Sequence, residues 1–419
     1  GNFARVKFLG YLWSSWQKMS SGENSRKKPW FYTIRKHKKK CIFFTAVGLW
    51  GVNFAVKQFR DYLCRREFCY KGKKYGDAKI LAINRPRRLL LFLNPEANDG
   101  KALKSYERDA APILHLGGVE ITTVKTDYEG QCKALTQYLD PNIDGIVIAG
   151  GDGTVLEVLT GLLRRKDQEE ISKIPIGLIP LGRDNRSYNS IVDKSPDQNV
   201  TKIAKSALNI LDNKTKNVSV MEITTAEGRP TYAISHIEWG PLQDAKENRR
   251  YWWTGPLKRR LPYIFATLKK WPPAVSANLS FASSETQSSE KCNSLQPNTP
   301  SNLTNKNETT DEANCIGKND IVSIAGLFVK LFQDTKETFL QTSVLSDLNQ
   351  LDFIRCGWQC ESKGIFSNQN MKTAESTAVN LKPLDNETSW YTIDGEKFEA
   401  RPIHVRILRN KIKVFCPPT

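Results

Sequence analysis

The run Gly150-Gly151-Asp152-Gly153-Thr154 holds the densest chemistry in the chain. Glycines let backbone N–H groups approach a phosphate closely. An aspartate among them can accept a proton from an attacking hydroxyl or help hold Mg2+ near the phosphates. The competing reading is a tight turn in which Asp152 caps the next helix. Asn94-Pro95 through Gly100-Lys101 is weaker: a Gly/Asn turn capping a helix explains it as well as nucleotide contact does. Thr126 alone is weaker still. Ile393-Asp394-Gly395-Glu396 reads as a hairpin turn or, paired with the glycine loop, as two carboxylates able to reach Mg2+ or a water in its shell. There is no Gly-x-x-x-x-Gly-Lys-Ser/Thr run, so this is not a P-loop protein. No Gly-x-Gly-x-x-Gly follows the first strand, which counts against a nicotinamide oxidoreductase. Cys64/Cys69 and Cys356/Cys360 lack zinc-finger spacing and the chain has only four His, so no structural metal is expected.

The elements that must position these residues alternate in type. Leu89–Leu93 and Gly145–Ala149 are short apolar runs that read as buried strands. Val119–Val124 alternates and is β-branched, and Ile176–Ile179 is a fourth strand. Helical stretches lie at Leu103–Leu116, Gln131–Leu139 and Val155–Arg165. Strand–loop–helix units of this kind predict a parallel sheet with helices on its faces. Ligands of such sheets bind outside the strands' carboxyl ends, and each unusual loop lies at such an end. After Asn217 the pattern turns to strands at Val218–Thr224, Pro230–Ser235, Ala277–Phe281, Ile321–Phe332, Asp352–Arg355, Trp390–Ile393 and Val405–Val414, with one helix at Tyr263–Lys270. The expected fold is α/β plus β. A doubly wound parallel-sheet nucleotide-binding domain occupies 87–217, an antiparallel β-rich domain occupies 218–419, and the active site lies in the cleft between them. The Ser/Thr/Asn/Glu-rich tract 283–319 is expected to be a disordered surface insertion.

Of 419 residues, 62 are basic and 44 acidic. Gly1–Leu90 holds 22 of the basic and four of the acidic residues, leaving 40 of each in the rest. The body is neutral, which argues against a nucleic-acid partner; the basic region, 1–86, reads as an address or an anchor. Within it, 41–56 carries no charge and has cations on both sides. A membrane anchor, spanning or interfacial, an acid-poor mitochondrial targeting segment and a buried core helix are the three readings.

Asn-Pro-x4-Gly-Lys, Gly-Gly-Asp-Gly-Thr-x2-Glu, Pro180-Leu181-Gly182 and the late Asp-Gly-Glu, in this order, resemble the diacylglycerol/sphingosine lipid kinase superfamily. Ala111-Pro-Ile-Leu-His-Leu-Gly, Val124-Lys-Thr-Asp-Tyr-Glu-Gly-Gln131, Ser172-Lys-Ile-Pro-Ile-Gly177, Trp239-Gly240, Tyr251-Trp252-x2-Gly255-Pro-Leu-Lys258 and Thr267-Leu-Lys-x-Trp271-Pro272 resemble its mitochondrial acylglycerol kinase branch. The resemblance implies a kinase that uses ATP and Mg2+ to phosphorylate the hydroxyl of a mono- or diacylglycerol, ceramide or sphingosine held in a bilayer. By it Asp152 is the proton acceptor. Asn94, Pro95, Lys101, Thr126, Gly150, Gly151, Gly153, Thr154, Glu157 and Gly182 line the nucleotide site. Lys258, Asp394, Gly395 and Glu396 complete it, Asp394 as a Mg2+ ligand directly or through water. Asp244 lies near the lipid head. It also implies residence at the mitochondrial inner membrane facing the intermembrane space, with a kinase-independent role beside carrier-translocase subunits as the alternative function. Where most lipid kinases continue Thr-Gly-Asn-Asp after Pro-Leu-Gly, this chain reads Arg183-Asp184-Asn185-Arg186, which leaves the role of that loop open. A soluble NAD kinase shares a Gly-Gly-Asp-Gly loop but not the N-terminal segment or the other motifs.

Overall fold

The computed structural model describes residues 38–78, 85–183, 185–192, 199–226, 228–240, 261–269, 275–282, 322–326, 328–333, 339–345, 349–355, 371–384 and 390–417. Asp184, Asp244, Lys258 and the tract 283–319 lie outside them, as do residues 1–37. The chain divides into two compact units, Gly1–Leu63 and Cys64–Thr419.

In the first unit the described residues belong to a helix, α1 (Lys38–Gly76), that continues into the second. Ile42, Phe43, Phe44, Leu49, Trp50 and Phe54 are each more than half exposed. The expectation of a buried core helix is therefore not met over 42–56. Ile42–Gly76 is long and apolar enough to cross a membrane.

In the second unit a parallel sheet runs in the order β2 (Glu120–Lys125), β1 (Arg88–Leu93), β3 (Gly145–Gly150), β4 (Ile176–Pro180). β3 and β4 are buried along their whole length, which is why their sequences read as unbroken apolar runs. In β1 the residues alternate between two cores. Leu89, Leu91 and Leu93 pack with Ala110, Ile113 and Ile210 on one face; Phe92 packs with Val158 and Leu159 on the other. The predicted helix over 103–116 is two, α2 (Ala102–Asp109) and α3 (Ala111–Leu116), with Pro112 in the first turn of the second. Proline has no N–H to continue the first helix and fits the start of a new one. The last turns of α1 join this layer: Phe68 is buried in the same core, and the Arg65 side chain donates to Asp109 Oδ1 at 2.6 Å.

The sheet does not stop at β4. The long final strand β16 (Ile403–Phe415) pairs parallel with β4 at Val414↔Ile176 and antiparallel with β5 (Thr215–Thr225), the register shifting between Leu408 and Ile412. β13 (Ala378–Pro383), β8 (Val275–Ala282) and β9 (Val322–Gly326) extend it further. Among the described residues the parallel and antiparallel halves thus share one ten-stranded sheet, its tenth strand, β6 (Thr231–Ala233), pairing with β5. A second, six-stranded sheet has the order β12 (Met371–Ser376), β11 (Leu340–Leu345), β10 (Phe328–Gln333), β7 (His236–Trp239), β14 (Trp390–Ile393), β15 (Glu396–Glu399). Met221, Leu279 and Val405 of the large sheet pack against Ile237, Leu331 and Tyr391 of the small one in a third core. Two strand expectations need correction. The predicted strand 321–332 is two strands in different sheets, and 350–355 is helical, not extended.

Candidate active site

The parallel strands have the order 2-1-3-4, so chain direction away from the sheet switches between β1 and β3. Ligands of such sheets enter at that point, beyond the carboxyl ends. A cavity of about 460 Å3 lies there, walled by the loops after all four strands and by Glu396. Asn94 and Asn98 follow β1, Thr126 and Glu129 follow β2, Gly151 and Thr154 follow β3, and Gly182 and Arg183 follow β4.

Each wall is fixed locally. The Asn94 amide nitrogen donates to Thr154 Oγ1 at 3.2 Å, and its oxygen accepts from the Glu96 N–H at 3.1 Å. Asn98, Asp99 and Gly100 are all left-handed, with φ of 55°, 59° and 73°. Asn, Asp and Gly are the types that tolerate this backbone, and the turn directs Asp99 to a salt bridge with Arg183. The Thr126 N–H donates to the Leu93 carbonyl at 3.0 Å. Glu157, on α4 (Asp152–Leu163), accepts the Gly130 N–H at 2.9 Å. The glycines serve close approach. A Cβ on Gly182 would lie 2.4 Å from the Cα of Gly151, and one on Gly153 would lie 1.8 Å from Glu396 Oε1. Neither position can carry a side chain without moving its neighbour.

Asp152 stands at the first turn of α4. Its Oδ2 accepts the Arg186 N–H at 2.8 Å and its Oδ1 the Ser187 N–H at 2.9 Å. The carboxylate so caps the next helix, α5 (Arg186–Ile191), across the loop. Burial pushes its carboxyl above the usual carboxylate range, while those two amides and the Arg186 guanidinium pull it back.

Asp394 and Gly395 form the two-residue turn between β14 and β15, with φ of 44° and 88°. This is the positive-φ pair that tight hairpins need. A Cβ on Gly395 would lie 3.9 Å from the Cβ of Asp152, so the turn sits directly on the glycine loop. Asp394 itself is fully buried. Its oxygens accept the N–H groups of Ile234 at 2.7 Å, Ser235 at 3.0 Å and His236 at 2.8 Å. Burial raises its carboxyl to about 7 despite these donors, and the nearby Asp152 charge adds to the rise. Direct Mg2+ coordination by Asp394 does not fit this geometry, because both oxygens are committed to backbone and none is exposed. Of the turn's two carboxylates, Glu396 is the one that reaches the cavity. Burial, then Glu129 and Glu157, raise its pKa. Among the described residues no three ligating side chains form a ready-made cage. Mg2+ suits such a place, since it takes one or two carboxylates and completes its shell with phosphate oxygens and water.

Of the other residues expected here, Gly150 is buried behind the lining, Pro95 is outside it, and Lys101 is exposed and outside it. Lining residues that spacing did not single out include Glu96, Asp127, Glu129, Cys132 and Arg183. Their position one loop beyond a predicted strand was the available signal. Burial, then Glu157, pushes the Cys132 thiol up to about 12, so it is no nucleophile.

The chain is similar to known proteins over most of its length. Residues 88–223 match the diacylglycerol kinase catalytic domain, and 234–310 with 318–419 match the acylglycerol kinase C-terminal domain. The chain is 31% identical over 408 residues to the mitochondrial acylglycerol kinase of Homo sapiens, covering 93% of this chain and 96% of that protein. It is 40% identical over 252 residues to the Xenopus laevis protein of the same name, covering 60% and 58% of the two chains. The fold is also that of a diacylglycerol kinase crystal structure from Bacillus anthracis str. Sterne, with a TM-score of 0.51 at 14% identity over 80% of this chain and 98% of that one.

Proposed function

This chain belongs to the acylglycerol kinase family of lipid kinases, and on that premise we propose that it phosphorylates the hydroxyl of a mono- or diacylglycerol with ATP at a mitochondrial membrane. One observation carries the reading: Asp152, gripped by two backbone amides, sits between Gly151 and Gly153, which line one cavity together with the four strand-end loops and Glu396, although Asp152 is not itself in the lining. Asp152 takes the proton of the lipid hydroxyl. The hydroxyl oxygen bonds to the γ-phosphorus as the bond to the leaving ADP breaks. Asn94, Thr126, Gly151, Gly153, Thr154, Glu157 and Gly182 hold the nucleotide, and the N-terminus of α4 favours the phosphates' negative charge. Pro95, Gly150 and Gly395 shape the backbone around them. The site fits Mg2+ at Glu396, where the metal, when bound, neutralises charge on the phosphates. We assign Lys258 and Asp244, which lie outside the described residues, to the phosphates and the lipid head; Lys101, exposed and outside the cavity, receives no nucleotide contact.

The apolar side chains of Ile42–Phe54 support membrane residence. At 1.5 Å per residue the uncharged stretch spans about 24 Å, shorter than the roughly 30 Å hydrocarbon core. Its flanking Lys and Arg residues suit anionic headgroups. The same segment is the proposed contact for carrier-translocase subunits of the inner membrane, on the intermembrane-space side. The full chain in mixed micelles, given ATP and Mg2+, is expected to phosphorylate acylglycerols in a panel that also holds ceramide and sphingosine. Phosphorylation of NAD and of none of the lipids contradicts the proposal. Rescue of import by an Asp152→Asn chain in cells lacking the native protein would assign the translocase role separately.

A further inference from the structure

Behind Asp152 lies a charged cluster that is not part of the nucleotide cavity. The guanidinium of Arg186 donates through one nitrogen to Glu238 Oε1 at 2.9 Å and to His236 Nε2 at 2.6 Å. The Glu238 side chain is 2% exposed and that of Arg186 29%. Arginine only donates, so Nε2 of His236 accepts and its Nδ1 carries the proton, which points to Ser235 Oγ at 2.7 Å. The contacts form a chain. Asp152 is gripped by the Arg186 and Ser187 amides. The Arg186 side chain ties that helix end to β7. The amides of Ile234, Ser235 and His236, at and just before the start of β7, hold Asp394. A Cβ added at Gly395 would lie 3.9 Å from that of Asp152, which places this turn beside it.

We propose that Arg186 is a positioning residue for phosphoryl transfer: by anchoring α5 to Glu238 and His236 it keeps the Asp152 carboxylate aimed at the acceptor hydroxyl. This rests on Asp152 being the proton acceptor. Asp152 is held directly by the helix end, and that helix end is held by the strand through Arg186. A shift of about 1 Å at a reacting group is enough to cost on the order of 100-fold in rate.

The test measures kcat and KM for ATP in full-length protein in mixed lipid–detergent micelles, with melting temperature alongside. Arg186→Met is expected to lower kcat about 10- to 100-fold with KM for ATP within about twofold, because the guanidinium does not line the nucleotide cavity. Arg186→Lys, which keeps the charge, recovers part of the loss. Glu238→Gln lowers kcat in the same way, and the double variant Arg186→Met/Glu238→Gln is no worse than the weaker single, as expected for one shared contact. Wild-type kcat in Arg186→Met beside an inactive Asp152→Asn overturns the positioning role alone. Full activity in Asp152→Asn overturns the reading of Asp152 itself. Losses that track melting temperature, or that appear equally in KM, make Arg186 merely structural and also overturn the proposal. If Arg186→Met does not fold, Arg186→Lys and Glu238→Gln decide on the same criteria.

Discussion

Asp152 and Asp394 both rest their carboxylate oxygens on backbone N–H groups, Asp152 on Arg186 and Ser187, Asp394 on Ile234, Ser235 and His236. They lie on neighbouring turns: a Cβ added at Gly395 would come within 3.9 Å of the Cβ of Asp152. Asp394 is sealed from solvent, whereas Asp152 is only half-buried beside the cavity wall formed by Gly151 and Gly153. Two acids of the same type, held by the same kind of donor, thus divide the work. In the proposed reaction one takes the proton; the other fixes the turn that carries Glu396 into the cavity. Motif spacing alone gives both carboxylates the same standing. Burial separates them.

The largest expected effect on stability falls on the sealed acid. Asp394→Ala strips the acceptor from three buried amides, each costing about 1–3 kcal/mol when unpaired, so the unfolding free energy in denaturant is expected to fall by roughly 3–5 kcal/mol. A change under about 1 kcal/mol would mean that the turn is held elsewhere. The pH dependence sharpens the same contrast. The Asp394 carboxyl titrates near 7 in the folded chain and near ~4 unfolded. The folded state therefore keeps the extra proton in between. The stability this group contributes is full below about pH 4 and is lost as pH rises through about 7. Wild-type denaturant midpoints are expected to drop more between about pH 5 and pH 8 than those of Asp394→Asn; parallel slopes would contradict it. Glu396→Gln removes the turn's carboxylate from the cavity without touching the core. It is expected to raise the Mg2+ needed for half-maximal activity about tenfold, with stability within about 0.5 kcal/mol of wild type. Smallest is Thr154→Val, which deprives the Asn94 amide of its acceptor and is expected to cost about 1 kcal/mol or less in nucleotide binding, read by titration calorimetry.

The parallel half was legible because β3 and β4 are buried along their whole length, β1 is mostly buried, and all three appear as apolar runs, while the largely exposed β2 alternates. The convergence of the loops that carry Asn94, Thr126, Gly151 and Gly182 on one cavity follows from the strand–loop–helix alternation; Glu157, on a helix, was placed only by the family resemblance. The antiparallel half was less legible. His236-Ile-Glu-Trp239 carries two polar residues in a wholly buried strand, so it does not read as core. Its burial becomes intelligible only when Arg186, 52 residues away from Glu238, supplies the countercharge. Similarly, no local signal tells that β16 would reach past the antiparallel strands to pair with β4. That contact is fixed by how Val414 and Phe415 pack into the two cores flanking the parallel sheet. The inward turn of Asp394 was hidden for the same reason, since its partners lie some 160 residues earlier.

The central claim is that Asp152 performs the proton transfer while its surroundings serve to hold it. The most direct measurement is the single-turnover rate of phosphoryl transfer from ATP to an acylglycerol by Asp152→Asn, with nucleotide affinity and melting temperature recorded on the same preparation. Loss of about 10²–10⁴-fold in rate, with affinity and melting unchanged within error, is the predicted result; transfer at the wild-type rate by the asparagine variant would contradict it.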